Sequence, residues 1–236
     1  MISTELRANA TSNPGEPCLR HMAAMFVDLD HFMRICIEDP PEAVFGLLGD
    51  FQLLVTHLVS SFRGELNSYQ GDGVLVTFGD LAGRSDCATR ALRCARRILE
   101  QIPTLNLDRS DVEPVTVSIG LQYGPMWTST IKTSSRFGPT LIGDAVNVAA
   151  RLEQQAGALG AQILAGDELI ERAARESASN TSDLAQFVNA GPLLVRGRQT
   201  PVVAWKLQVQ PSDFLLDNTP ALFGTPVAAA LSEAQL

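Results

Sequence analysis

Two aspartates, Asp28 and Asp72, stand where carboxylates can act together. Asp28 closes an apolar run in Phe26-Val27-Asp28-Leu29-Asp30-His31-Phe32, and Asp72 lies in Tyr69-Gln70-Gly71-Asp72-Gly73. Mg²⁺ commonly takes only one or two protein carboxylates and completes its shell with phosphate and water. Two converging aspartates and a triphosphate therefore suit Mg²⁺ or Mn²⁺. Taken singly, each has a plainer reading, because aspartate also favours turns and strand ends. A third segment, Thr140-Leu141-Ile142-Gly143-Asp144-Ala145-Val146-Asn147-Val148-Ala149-Ala150-Arg151, sets Asn147 and Arg151 four residues apart on one helical stripe. A guanidinium offers fixed donors to phosphate oxygens, and its charge counts most where negative charge is redistributed during phosphoryl transfer. Without context, the same pair reads as a solvated helix face.

The elements needed to position these residues are legible from periodicity. Residues 22–29 form an apolar run that reads as a buried strand presenting Asp28 at its end. Val44, Leu47, Leu48, Phe51, Leu54, Val55, Leu58 and Phe62 form the stripe of a core-facing helix over 41–62, closed by Gly64. Strand-like runs at 65–69 and 74–78 flank Gly71-Asp72-Gly73, a hairpin signal with an acid at its tip. A second amphipathic helix fits 85–102, and a strand fits 115–121. A helix capped by Asp144 runs to about Ala156 with Gly157 as its stop. A strand at 162–165, a short helix near 167–174 and two runs around Arg196-Gly197-Arg198 complete the pattern. Helices alternating with strands and hairpins predict an α+β sandwich, a mixed sheet covered by helices.

Composition narrows the function classes. A chain of 236 residues, 45% hydrophobic and 19% charged, suits one domain with one core. The net charge of −8 and the lack of a Lys/Arg run argue against nucleic acid as a partner. Cys18, Cys36, Cys87 and Cys94 show neither zinc spacing nor a disulfide framework. Residues 1–20 lack the apolar run of a signal peptide, and no stretch of about 18 uninterrupted apolar residues occurs, so a cytoplasmic protein without a membrane span is expected. The polar segment 1–20 and the tail 210–236 read as flexible attachments to a working domain at 21–209.

Together and in order, these segments resemble the class III nucleotidyl cyclases: the first metal-aspartate strand, the Gly-Asp hairpin and the Val-Asn-x-Ala-x-Arg helix. Ser118-Ile119-Gly120-Leu121-Gln122-Tyr123-Gly124 and Leu194-Val195-Arg196-Gly197 through Pro201 resemble further strands of that family, so the likeness spans about 21–207. It implies a catalytic domain with a mixed, largely antiparallel sheet of ferredoxin-like palm type. It also implies that Asp28 and Asp72, helped by the carbonyl of Leu29, bind two divalent ions, Mn²⁺ or Mg²⁺. By the same resemblance Asn147 orients the ribose, Arg151 stabilises the transferring phosphate, and Arg196 replaces the family's usual lysine for the terminal phosphate. Active sites in that family are shared between two subunits, which implies a homodimer. The implied reaction is an in-line attack of the 3′-hydroxyl on the α-phosphorus of a nucleoside triphosphate, giving a 3′,5′-cyclic nucleotide and pyrophosphate.

Three positions depart from the family pattern. Ser68 stands where adenylate cyclases carry a purine-reading lysine, although its partner position holds Thr140. Ser118 stands where some members place an arginine toward the phosphates. Tyr69-Gln70-Gly71-Asp72 is similar to the Tyr-x-Gly-Asp/His signature of the pyrimidine cyclases of bacterial antiphage defence, the Pycsar systems. A phenol beside the base would fill the volume of a purine's second ring. The resemblance then implies UTP as substrate, cyclic UMP as product and a separate cyclic-nucleotide effector that reads it, and a chain without a fused sensor suits such a stand-alone enzyme. An adenylate or guanylate cyclase with an atypical base pocket is the alternative.

Two other classes compete. Asp28-Leu29-Asp30-His31-Phe32 is close to the opening metal motif of diguanylate cyclases, but the Gly-Gly-Asp/Glu-Glu-Phe loop is missing, and His31 reads as a loop or interface residue. An inactive, cyclase-shaped binding module is disfavoured because Asp28, Asp72, Asn147, Arg151 and a basic Arg196 are all present.

Overall fold

A computed structural model describes residues 16–107, 113–132, 137–176 and 182–208. The expected attachments at 1–20 and 210–236 fall almost wholly outside these residues, except that the first strand begins at Cys18.

The chain runs through β1 (Cys18–Leu29), α1 (Phe32–Glu38), α2 (Pro41–Ser61), β2 (Glu65–Gln70), β3 (Gly73–Phe78) and α3 (Cys87–Gln101). It continues through β4 (Val117–Lys132), β5 (Phe137–Ile142), α4 (Asp144–Ala156), β6 (Ile163–Gly166), α5 (Asp167–Glu176), β7 (Phe187–Leu193) and β8 (Val202–Leu207). One sheet of eight strands has the order β2-β3-β1-β4-β6-β8-β7, with β5 paired to the outer reach of β4. Among the described residues only the β4–β6 pair is parallel. The expected palm is the four-strand stretch β2-β3-β1-β4.

The two sheet faces carry different layers. Ala23, Met25, Val27, Val74, Val76, Ile119 and Leu121 point to the face covered by α2, α3 and α5. Met22, Ala24, Phe26 and Leu75 point to the other, where Ala145 and Ala149 of α4 meet them. Because successive strand residues alternate faces, Asp28 shares the α4 face with Phe26. Alternation thus assigns the first aspartate to the same side as the helix of Asn147 and Arg151.

Most sequence-based elements recur, with informative differences. The strand expected at 115–121 runs on to Lys132 despite Gly124 and Pro125, because its second half pairs with β1 and with β5, an element local pattern did not show. Short α1 was also unforeseen. The residue that turns the chain after α2 is Arg63, with φ 54, rather than Gly64. Gly64 is needed for another reason, since a Cβ there would stand 2.6 Å from the Phe78 ring. At α4 the cap is Gly143 rather than Asp144, and Gly157 stays helical while Gly160, with φ 58, makes the left-handed stop.

By length and composition α2 passes as a membrane span, with a mean hydropathy of 1.5, the one such helix among the described residues. Its stripe of Val44, Leu47, Phe51, Leu54, Val55 and Leu58 is nevertheless buried in the core, which accounts for its apolarity. Arg90 of α3, 7% exposed, locks this layer. Its guanidinium donates to Phe62 O at 3.1 Å, to Arg63 O at 2.9 Å and to Gly79 O, and pairs with Asp86 at 2.8 Å.

At Gly120 the backbone of α4 is seated directly on β4. A Cβ on Gly120 would overlap the carbonyl of Ala149 and the backbone nitrogen of Glu153. Neither atom belongs to a flexible side chain, so the helix itself would have to move. Gly120→Ala is therefore expected to destabilise the protein by about 3 kcal/mol or more, read from the denaturant midpoint of unfolding. An unchanged midpoint would contradict this contact.

Candidate active site

The sheet register assembles the acidic half of the site. Val27 pairs with Val74, so the next residues on each strand bring Asp28 beside Gly73 at the β2–β3 tip. The turn is the pair Gly71-Asp72, with Gly71 at φ 69. A Cβ on Gly73 would lie 3.0 Å from Asp28 Oδ1, so the carboxylate of Asp28 rests over the residue that follows Asp72. The convergence of the two aspartates expected from sequence is thus present.

Among the described residues, acids dominate the electrostatics of this corner. Burial pushes the Asp28 carboxyl up to about 6, with the charges of Asp72 and Asp30 adding to the shift and the Leu29 backbone N–H opposing it. Asp72 is also raised, by burial. Leu29, 2% exposed, ends β1 beside them. Asp30 is held by β4: it accepts from Thr116 Oγ1 at 2.6 Å and from Ser118 Oγ at 2.7 Å. Ser118 therefore spends its hydroxyl orienting a carboxylate. His31, with φ 58, is an exposed turn residue leading into α1.

Sequence reasoning missed one member of the cluster. Glu153 of α4 is half-buried, and its carboxyl is pushed up to about 7 by burial and then by Asp28, Asp30 and Asp72. The signal was available: Glu153 follows Ala145 and Ala149 at four-residue steps, which puts an acid on the inward stripe of an amphipathic helix.

The polar pair sits on another side of the same helix. Asn147 is exposed, and Arg151 is half-exposed with Nη1 donating to Gln154 Oε1 at 2.6 Å. At about 100° per residue, Arg151 and Glu153 diverge by roughly 200°, so the helix cannot offer both to one pocket. Neither Arg151 nor Arg196 is among the charges acting on Asp28 or Glu153. Arg196 is exposed in the turn between β7 and β8, beside Gly197 at φ 93, while Arg198 ties that turn to α4 through Asp144 at 3.2 Å.

The base-facing residues separate. Ser68 pairs with Leu75 across the hairpin and so shares the face of Asp28. Tyr69 pairs with Val74 and faces α2, where its hydroxyl lies 2.7 Å from Thr56 Oγ1. Ser68 and Tyr69 therefore lie on opposite faces of the hairpin, because strand alternation sends neighbouring residues to opposite sides. Thr140, on β5, pairs with Ser129 of β4.

Another group has metal-like composition. Asp80, Cys87 and Glu176 bring ligand atoms within 4.8 Å of one another. Glu176, however, accepts the α3 backbone N–H groups of Ala88 at 3.2 Å and Thr89 at 2.8 Å, and pairs with Arg172 at 2.7 Å. Arg172 also pairs with Asp80, and burial raises the Cys87 thiol well above its ordinary range. With its lone pairs used and its thiol protonated, this group is a helix cap. The cation-free pair Asp28 and Asp72 fits a divalent ion better.

The description of adenylate and guanylate cyclase catalytic domains matches residues 18–207. An adenylate cyclase of Anabaena cylindrica is 26% identical over 159 residues, covering 66% of this chain and 31% of the relative. An uncharacterized protein of Mycobacterium tuberculosis is 29% identical over 184 residues, 78% of this chain and 32% of the relative. The chain thus spans about a third of the length of these curated relatives. Among solved structures, the adenylyl cyclase CyaB from P. aeruginosa superposes with a TM-score of 0.72 at 22% identity, covering 84% of this chain and 98% of that one. The guanylate cyclase domain of RhGC from Catenaria anguillulae, in complex with GTP, gives 0.66 at 19% identity, covering 83% and 99%. These superpositions establish the fold.

A carboxyl raised in the folded state binds protons that the unfolded chain has released, so stability falls as pH rises through the window between the two values. For Asp28 that window runs from 3.8 to about 6. Metal-free Asp28→Asn should accordingly lose less thermal stability than the wild type between pH 4 and about 7, measured as the difference in melting temperature across the series. Parallel pH profiles would contradict the buried, repelled state of Asp28.

Proposed function

We propose, from the premise that this chain belongs to the adenylate and guanylate cyclase catalytic domain family, that it cyclises a nucleoside triphosphate to a 3′,5′-cyclic nucleotide with release of pyrophosphate. The observation that carries the proposal is the half-buried pair Asp28 and Asp72 at adjoining strand and hairpin ends, where the charge of Asp72 raises the Asp28 carboxyl. Their donor set and their lack of a compensating cation suit two divalent ions, Mg²⁺ or Mn²⁺, with the Leu29 carbonyl as a further ligand. Bound there, such ions would supply Lewis-acid stabilisation of the attacking 3′-oxygen and of the phosphate charge.

The chain's own residues hold and orient the substrate. Asn147 aligns the ribose, and Arg151 and Arg196 donate to phosphate oxygens as charge moves toward the leaving group. The bond from O3′ to the α-phosphorus forms, the bond to the bridging oxygen of the β-phosphate breaks, and the 3′ proton is released to solvent. Because both reacting groups belong to one substrate molecule, most of the leverage is orientation and charge.

The divergence of Glu153 and Arg151 on α4 supports a homodimer. One protomer supplies the acids and its partner supplies Asn147 and Arg151. A structural relative from Blastocladiella emersonii is described as a non-canonical dimeric guanylyl cyclase domain. We assign UTP as substrate and cyclic UMP, read by a separate effector in antiphage defence, as product. This finer reading rests on the Tyr69-Gln70-Gly71-Asp72 signature and on Ser68 replacing lysine, with the Tyr69 hydroxyl 2.7 Å from Thr56 Oγ1 on the α2 side of the hairpin. ATP is the second reading, favoured by the names of the Anabaena and Rhizobium meliloti relatives.

Incubation with Mn²⁺ and each of the four common ribonucleoside triphosphates, with products identified by mass, separates these readings. Cyclic UMP as the main product is expected. A product from ATP alone replaces the substrate and keeps the reaction, whereas no cyclic product from any triphosphate removes the activity itself. Mixing inactive Asp72→Ala and Arg151→Ala chains should restore about a quarter of wild-type activity, since half the dimers are mixed and each has one intact site of two. No recovery after verified subunit exchange would contradict a shared site.

A further inference from the structure

Glu153 has no hydrogen-bond or ion-pair partner among the described residues, although it lies on the inward stripe of α4. The contact at Gly120 places it there: the backbone of Glu153 sits directly on β4, two residues from Ser118, which pairs with Asp28 across the β1–β4 register. Gly120, Ser118 and Asp28 therefore share one face of the sheet, and the helix lowers Glu153 onto it. Among the described residues, the charges that raise Asp28 are Asp72 and Asp30, and those that raise Glu153 are Asp28, Asp30 and Asp72.

An isolated half-buried carboxylate among other carboxylates is costly in the empty protein. A purely structural role would be served better by an uncharged residue at this position. Its placement becomes favourable only when positive charge arrives between the acids. Resting on the reading of Asp28 and Asp72 as cation ligands, we infer that Glu153 is a positioning carboxylate of the divalent-cation site, acting on the bound cation by its charge and through coordinated water. Asp30 is the complementary case, because Thr116 and Ser118 hold its two oxygens on β4. Glu153 is left free to turn toward an incoming cation, and it reaches the site from the same helix that presents Arg151 elsewhere.

The test uses the full chain without nucleotide, titrated with Mn²⁺ at pH 8 and followed by the electron paramagnetic resonance of free Mn²⁺. Glu153→Gln should bind Mn²⁺ at least about tenfold more weakly, since the lost charge interacts through a medium of intermediate dielectric. Its metal-free melting temperature should rise, because a repelled charge has been removed. Glu153→Asp, which keeps the charge, should hold Mn²⁺ more tightly than Glu153→Gln. A structural side chain would give the opposite pattern, with lower metal-free stability, and that result overturns the inference. Mn²⁺ affinity within twofold of wild type overturns it as well. If Glu153→Gln fails to fold, Glu153→Ala is read by the same criteria, and failure of both to fold marks the residue as structural. Asp28→Asn separates the two levels of the argument: normal Mn²⁺ binding there removes the cation site itself, whereas loss there with full binding in Glu153→Gln removes only the role of Glu153.

Discussion

The backbone-to-backbone seating of α4 on β4 at Gly120 is the contact on which the site depends. Any side chain at that position would lift the helix, and with it Asn147, Arg151 and Glu153. Below it, the small residues Ala145 and Ala149 pack on Met22, Ala24 and Phe26 of the sheet. Small residues on one side and glycine on the other allow this approach, much as they do wherever two backbones pack closely. The helix then acts as a rigid bar that carries polar groups on two of its sides.

That geometry sets the acids and the polar pair on different sides of one helix, which is the basis of the proposed shared site. On the sheet side are Asp28, Asp72 and Glu153, with pKa values pushed upward by burial and mutual repulsion. On the solvent side are Asn147 and Arg151, while Arg196 is exposed on a turn anchored to α4 by Arg198 and Asp144. The acids are held in an unfavourable state by a scaffold stable enough to bear it, a common arrangement where charge is to be neutralised by a ligand. Ser118 strengthens this bias: its hydroxyl fastens Asp30 to β4.

The opposite face of the sheet supplies that scaffold. Arg90 gathers the end of α2 and the end of β3 through backbone carbonyls, and Glu176 caps the start of α3. Both are buried or nearly buried charges whose hydrogen-bonding capacity is used, in contrast to Glu153. The difference between a carboxylate neutralised by an arginine and carboxylates facing other acids distinguishes the helix cap at Asp80, Cys87 and Glu176 from the proposed cation site at Asp28 and Asp72. Composition alone does not distinguish them.

Local spacing along the chain carried the elements other than α1 and β5 in their order, with the amphipathic stripes of α2, α3 and α4, the Gly-Asp hairpin and the residue types of the site. Those properties reside in local spacing, where a period of two or of 3.6 residues marks which side chains turn inward. It also held an unread sign of Glu153, an acid on an apolar stripe. Only the tertiary structure decided the rest. The length of β4 depends on pairing with β1 and β5 against its own Gly124 and Pro125, and the assignment of Tyr69 to the α2 side follows from its register opposite Val74. The gathering of Asp28, Asp72 and Glu153 joins three segments far apart in the chain. Register and helix seating are set by long-range packing, which a local pattern does not encode, and a shift of one strand residue would have sent each of these side chains to the other face.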